Sequence, residues 1–439
     1  MTWNTSAGLC GALRSVVMRV FLSAGEPSGD HHAALLCKAI RARCPEAVCV
    51  GLGGPEMARA GCTLVADMTQ LAVMWFLRVL LNIHRFVDLA RQAERSFLDE
   101  RPDVCVLVDF PGFHWWLAWR AKRHSIPVVF YCPPQIWAWA SWRIRKMRRL
   151  VDHVLSALPF EHDWFVDQGL TSTLVGHPFF DEQPDRPSVE PGATDSPLVV
   201  LLPGSRRQEI EANLGILVRA AREIERQVPA ARFVVASLHR RHADGIEAEL
   251  AGALAGRGPR QLVVAAGQTA SLIPQAAAAM SVSGSVSLEL LAARVPTVIV
   301  YSINPFAYVV QSWLRHTRAF TLVNLLAIPD PIGSLQPVWW PPRTLAAADP
   351  AMLFPEYLAV QDPAATAAGH VTQWLTDPQA RQQALAKLEA LAADVAQPGS
   401  ATRAAAAVLA IAAGARPEEV AETVSRVQPI ETATYQASA

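Results

Sequence analysis

Four short clusters hold residue types that could do chemistry. Asp109 directly follows the apolar run Val104–Val108 and stands beside Phe110, Pro111 and Phe113. A carboxylate among apolar groups at the end of a strand suits a general base. An aspartate just before a proline also suits a plain turn. Gly25-Glu26-Pro27-Ser28-Gly29-Asp30 separates an apolar run from a helical pattern. Its glycines would let a ligand approach the backbone, which makes Glu26, Ser28, Gly29 and Asp30 candidate contacts. Ser28 and Asp30 are equally ordinary helix-cap types. In Pro203-Gly204-Ser205-Arg206-Arg207, helix N-terminal amides and the Arg206 guanidinium together suit a diphosphate. Ser205 with Gln208 would also form a capping box that needs no ligand. Ser283-Gly284-Ser285 precedes a helical pattern with Glu289 in its first turns. A carboxylate there can accept both hydroxyls of a ribose. An N-cap serine and an acid favoured by the helix dipole explain the same residues.

The elements that would position these clusters repeat one grammar: an apolar strand, a glycine-bearing turn, then an amphipathic helix. It occurs at 16–40 and again at 197–218, with the first strand expected to begin near Ser15. Between them, 181–197 is rich in proline and acid, lacks apolar periodicity and reads as a linker. Apolar runs at 104–108, 128–131 and 154–157 continue the first half, and runs at 233–236, 262–265 and 297–301 the second. Strands alternating with helices predict α/β architecture, a parallel Rossmann-like sheet in each half, with ligands at the carboxyl ends of the strands. Two such halves would face a cleft. The expected division is an N-terminal domain over 1–180, the linker, a second domain over 198–376, C-terminal helices over 377–414 and a loose tail over 415–439. In the C-terminal part, helix 378–394 carries Leu385, Leu388 and Leu391 on one face, and helix 401–413 follows Ser400 as N-cap and stops at Gly414. The proline-rich 329–355, with Trp339 and Trp340, reads as a long loop.

Composition and missing motifs narrow the chemistry. The 439 residues suit two domains, half of them are hydrophobic, and the formal net charge is zero. That balance argues against a general nucleic-acid partner. Seven cysteines without a Cys-x-x-Cys pair fit a reducing cytoplasm. Arg14 and Arg19 interrupt the N-terminal apolar run, which argues against a signal peptide. The longest apolar candidate, 71–81, is too short to span a bilayer and contains Arg78. There is no Gly-x-Gly-x-x-Gly, Walker loop, Gly-x-Ser-x-Gly or His-Glu-x-x-His. No Asp-x-Asp occurs either, which removes the usual carboxylate pair for a metal-held sugar nucleotide. Transfer without a metal stays open if the protein itself stabilises the leaving diphosphate, and no cofactor or metal is expected. Trp137, Trp139 and Trp142 run into Arg143, Arg145, Lys146, Arg148 and Arg149, and Trp75 and Phe76 lie in 71–81. Aromatic and basic residues together suit an anionic membrane surface; a core helix with a solvated basic face is the alternative.

Several motifs in order give the chain a resemblance to the lipid-A-disaccharide synthase family. They are Ala24-Gly25-Glu26-Pro27-Ser28-Gly29-Asp30, Leu71-Ala72-Val73-Met74, Trp137-Ala138-Trp139 and Leu158-Pro159-Phe160-Glu161. Gly176-His177-Pro178, Leu202-Pro203-Gly204-Ser205-Arg206 and Asn324-Leu325-Leu326 follow. The resemblance runs from about residue 19 to 327 and more loosely into the C-terminal helices.

The resemblance implies a GT-B hexosyltransferase of lipid A biosynthesis. It implies inverting transfer of 2,3-diacylglucosamine from UDP to the 6-hydroxyl of 2,3-diacylglucosamine 1-phosphate. Asp109 matches the family's candidate base, Arg206 its diphosphate-binding arginine, and Glu289 and Asn324 its donor-site positions; Gly204, Ser205 and Ser285 lie in the same donor-site motifs. A cytoplasmic protein peripheral to the inner membrane is implied, and C-terminal helices that can exchange between subunits allow a homodimer. The chain departs from the family pattern at Gly112 and His114, where an acid and an asparagine are usual. It departs again at Ser302, Ile303 and Asn304, where basic residues are usual, and at Val323, where proline is usual. Another GT-B enzyme, such as a UDP-N-acetylglucosamine 2-epimerase, or a non-catalytic membrane-surface protein are the alternatives.

Overall fold

The computed structural model describes residues 17–68, 83–182, 196–333 and 352–427. The apolar 71–81, most of the expected linker, Trp339 and Trp340, and the end of the tail lie outside the described residues. The chain divides into two compact units. The first comprises Met1–Ile136, Ala140–Glu182 and Gln397–Ala439; the second comprises Trp137–Trp139 and Gln183–Ala396.

In the first unit, seven parallel strands form one sheet: β1 (Arg19–Ala24), β2 (Val48–Gly53), β3 (Thr63–Asp67), β4 (Val104–Val108), β5 (Val128–Tyr131), β6 (His153–Ser156) and β7 (Ser172–Leu174). Their order is β3-β2-β1-β4-β5-β6-β7. β4, Val-Cys-Val-Leu-Val, is buried at every position, as a strand covered on both faces requires. β1 begins at Arg19, not near Ser15, and its backbone N–H there is anchored on the Asp103 carboxylate at 2.7 Å. Helix α1 (Pro27–Arg43) follows β1, α2 (Pro111–Arg123) follows β4, and the short α3 (Ile144–Leu150) precedes β6. The six cysteines among the described residues are free thiols.

In the second unit, β8 (Leu198–Leu202), β9 (Arg232–Ser237), β10 (Leu262–Ala266), β11 (Ala278–Ser281), β12 (Thr297–Ser302) and β13 (Glu356–Ala359) form a second parallel sheet in the order β10-β9-β8-β11-β12-β13. α4 (Arg207–Gln227) follows β8, α5 (Val286–Ala292) follows β11, and α6 (Leu322–Ala327) precedes β13. The apolar face of α4, with Leu214, Leu217, Val218 and Ala221, lies in a core with Val199, Leu201, Met280 and Val298.

The C-terminal segment is not one body. Helix Pro378–Val395 belongs to the second unit, and of the expected leucine face only Leu388 is fully buried. α7 (Ser400–Ala412) returns to the first unit, where Ala401, Ala404, Ala405 and Val408 share a core with Val20, Leu22 and Ile40. Ser400 is not the N-cap. Gly399 holds that place at φ +91°, and the Asp181 carboxylate caps the helix from afar. It accepts from the amides of Gly399, Ser400 and Ala401 at 2.7–2.8 Å. The expected loose tail opens with a helix, α8 (Pro417–Ser425), because Val420 and Val424 find apolar cover in that same core.

Candidate functional site

In an open parallel sheet, ligands bind where the strand order reverses, because the two adjacent loops there leave in opposite directions. In the first sheet that point lies between β1 and β4, whose ends are level, with Ala24 paired to Val108. The next residues are Gly25 and Asp109. The turn holding Asp109 is unusual: Asp109 has φ +50° and Phe110 φ +47°. Aspartate tolerates the left-handed region better than most residues.

Close packing fixes this turn. A Cβ on Gly25 would stand 2.4 Å from the Phe110 ring, so only glycine fits. A Cβ on Gly29 would stand 3.5 Å from the Val108 carbonyl oxygen and 4.0 Å from the Asp109 Cβ. His114 pins the turn from below. Its Nδ1 meets the Asp109 carbonyl oxygen at 2.6 Å and its Nε2 the Ser23 hydroxyl at 2.9 Å. A carbonyl only accepts, so Nδ1 carries the proton and Nε2 accepts from Ser23. Full burial keeps the ring neutral, with a pKa lowered to about 4. The histidine in place of the family's asparagine thus acts as a strut. Burial raises the Asp109 pKa, and a backbone hydrogen bond from Phe110 partly opposes it.

Asp30 does not join this group. Its carboxylate accepts from the amides of Gly54 at 2.7 Å, Glu56 at 3.0 Å and Met57 at 3.3 Å, and is spent on the β2 turn. Ser28 is exposed in the first turn of α1, and Glu26 is the α1 N-cap residue without a side-chain capping bond.

In the second sheet the order reverses between β8 and β11, with Leu202 paired to Ser281. The loops beyond are Pro203 to Arg206 and Val282 to Ser285, so the two motifs expected to bind the donor follow neighbouring strands. The helix cap differs from the expected Ser205–Gln208 box. Arg206 is the N-cap residue, and Glu209 reaches back to the amides of Ser205 at 3.2 Å and Arg206 at 3.3 Å. Gly204 adopts φ +130°, and a Cβ there would stand 2.6 Å from the Glu209 Cβ. The Arg206 side chain is 78% exposed, with one contact to Glu209 at 3.2 Å. It is thus free to turn onto an anion.

Ser285 is exposed and makes no side-chain cap bond. Glu289 is half-buried, its pKa is raised by burial, and its carboxylate meets no donor among the described residues. Such an acceptor is open to hydroxyl groups. Asn324 is otherwise placed. It is fully buried and saturated, donating to the Phe354 carbonyl at 2.7 Å and to Glu356 at 2.9 Å. It accepts from the amides of Leu353 and Phe354 at 3.0 Å. Its side chain has no capacity left for a ligand.

Glu356 escaped the sequence analysis, although a lone acid inside an apolar strand is a readable signal. It accepts from the Phe320 amide at 3.0 Å, and the Phe320 carbonyl accepts from the Ser283 hydroxyl at 3.1 Å. Asn324 and Glu356 thus brace the Ser283 loop. Burial raises the Glu356 pKa and lowers that of nearby Arg315.

Of the aromatic cluster, Trp137 is buried, whereas Trp139 and Trp142 are 59% and 62% exposed. No helix among the described residues is long and apolar enough to cross a membrane.

Two units, each a parallel sheet whose strand order reverses once, have the architecture of the GT-B fold. The calicheamicin glycosyltransferase CalG4 has this fold at a TM-score of 0.54, with 16% identity, over 94% of this chain and 99% of that one. A UDP-N-acetylglucosamine 2-epimerase shares it at 0.53, with 11% identity, over 96% of this chain and 100% of that one. At such identities the fold alone is shared, and the sequence must decide between them. The lipid-A-disaccharide synthetase family model matches residues 20–332. The lipid-A-disaccharide synthase of Myxococcus xanthus (strain DK1622) is 34% identical over 316 residues, covering 70% of this chain and 81% of its own length. The chain belongs to the lipid-A-disaccharide synthase family, and is a hexosyltransferase of lipid A biosynthesis.

Proposed function

We propose that the chain transfers 2,3-diacylglucosamine from its UDP ester to the 6-hydroxyl of 2,3-diacylglucosamine 1-phosphate, with inversion. The observation that carries this reading is the placement of complementary groups at the two sheet reversals. Asp109 stands at one; Arg206 and Glu289, whose carboxylate meets no donor among the described residues, stand beyond the other. The acceptor hydroxyl attacks the sugar C1 while its proton passes to the Asp109 carboxylate. The C1–oxygen bond to the diphosphate breaks, and UDP leaves with the electron pair. One in-line step suffices, so the product is a β-1,6-linked disaccharide 1-phosphate. Arg206, with Gly204, Ser205 and the amides that open α4, takes up the charge on the leaving diphosphate. Glu289 and Ser285 suit the ribose side of the donor. Glu26, Ser28 and Gly29 line the acceptor side.

This reading needs no resident cofactor or metal. It places the protein at the cytoplasmic surface of the inner membrane, attached to anionic lipid, and allows a homodimer. The test is incubation of purified protein with both acylated substrates, followed by mass spectrometry. The disaccharide 1-phosphate and UDP should appear together. Conversion of UDP-N-acetylglucosamine to its 2-epimer, with no disaccharide, would refute the reading.

A further inference from the structure

The face formed by α2 and α3 in the first unit plays no part in the chemistry above. A groove of about 470 Å³ opens there, within the size range of small-ligand sites. Trp115, Trp116, Trp119 and Arg120 line one wall, and Lys146 and Arg149 the other. Helical spacing puts those four α2 residues on neighbouring turns. Trp116 and Trp119 are 42% and 43% exposed, a large apolar area to leave facing water.

The cations crowd the rings. Arg123 lies over Trp119 with its guanidinium carbon 4.8 Å from the ring centre, and the Lys146 ammonium lies 5.5 Å from Trp115. α3 supplies the charge for a simple reason: Ile144, Met147 and Leu150 face the core, so Arg145, Lys146, Arg148 and Arg149 must face outward. Two acids that pair with α2 or its C-terminal end are already engaged. Glu94 pairs with Arg120 and His124, both at 3.2 Å, and Asp152 pairs with Lys122 at 2.6 Å. Lys146 and Arg149 meet no carboxylate among the described residues.

We infer that this groove docks the headgroup of an anionic phospholipid, with the phosphate between Lys146 and Arg149 and the glycerol end against Trp116 and Trp119. Charge complementarity and the half-exposed indoles together select this occupant, since indole favours the boundary between water and hydrocarbon. The inference rests on the proposed membrane attachment and assigns it to a defined surface.

The test is sedimentation with phosphatidylcholine vesicles, with and without phosphatidylglycerol. Wild type should bind only when phosphatidylglycerol is present. Removing both cations in K146Q/R149Q should weaken binding about 30-fold, from about 1 kcal/mol per cation. W116S/W119S should weaken it further in high salt, where charge is screened. R257Q/R260Q, which removes two exposed cations from the second unit, should bind like wild type. Turnover of detergent-dispersed substrates should be unchanged in all three, which also shows that they fold. If wild type ignores vesicles, the membrane reading itself falls. If wild type binds and both groove variants bind equally well, only the groove is overturned. Equal binding to both vesicle types would overturn anion recognition. Should a variant misfold, a photoactivatable phosphatidylglycerol on wild type decides the matter. Its adducts should fall within residues 115–123 and 146–150, and adducts elsewhere alone would overturn the inference.

Discussion

Asp109→Asn isolates the proposed base more cleanly than Asp109→Ala would. The residue sits at φ +50°. Asparagine tolerates that conformation, whereas alanine would add strain of about 1–2 kcal/mol. The amide keeps the size and removes the basic oxygen. Loss of a positioned general base costs on the order of 10²–10⁴ in rate, or about 3–5 kcal/mol of barrier. UDP affinity should barely change, because Arg206 and Glu289 belong to the other unit. Two further readouts follow from the raised pKa of Asp109, caused by burial. The acid limb of kcat/KM in wild type should lie above the ordinary aspartate range, and the residual activity of the variant should lack it. Stability should respond in a defined direction. A carboxyl with a raised native pKa binds its proton more tightly when folded. Its contribution therefore falls as pH rises from the unfolded value through the native one. The variant should thus melt no lower than wild type at neutral pH, and any advantage should shrink toward acid. The assays are kcat, UDP Kd and melting on one purified sample. Near-normal kcat would reduce Asp109 to a turn residue. Attention would then pass to Glu26, since His114 is buried and neutral and Asp30 is committed to three amides.

Arg206→Ala should weaken UDP binding and turnover together, by roughly 1.5–3 kcal/mol for a lost charge-assisted contact; unchanged values would leave the residue a helix cap alone. Asn324→Ala should lower the melting temperature, because four hydrogen bonds, three of them buried, are lost, each worth about 0.5–1.5 kcal/mol net. UDP should still bind whatever fraction stays folded, and a folded variant with normal melting but no UDP affinity would restore Asn324 as a direct contact. Activity should survive EDTA, since Arg206 and the α4 amides can take up the leaving charge; loss on chelation that magnesium or manganese restores would overturn this.

Much of the fold and half of the site are legible in one dimension because their determinants are contiguous. An apolar run, the turn after it and the helix that follows are neighbours in the chain. So Gly25, Asp109 and Gly204 could be placed at strand ends from sequence alone, whereas Ser283 reads in sequence only as standing ahead of a helix, and the strand before it, β11, is not expected there. Right-handed crossovers then constrain how such units assemble. Side-chain partners from distant segments are another matter. Only the folded chain brings Gly54, Glu56 and Met57 to Asp30 and so withdraws that carboxylate from the site. Only the folded chain sets Glu356 beside Asn324, turning a presumed donor contact into a brace beneath the Ser283 loop. The same holds for α7, which returns from residue 400 to pack on β1 and α1, capped by Asp181 from more than two hundred residues away. Local pattern decides where a strand ends and a helix begins, because backbone hydrogen bonding and turn geometry act over a few residues. Burial and charge pairing act across space, so which polar side chains remain free for a substrate is decided only when the sheets are packed.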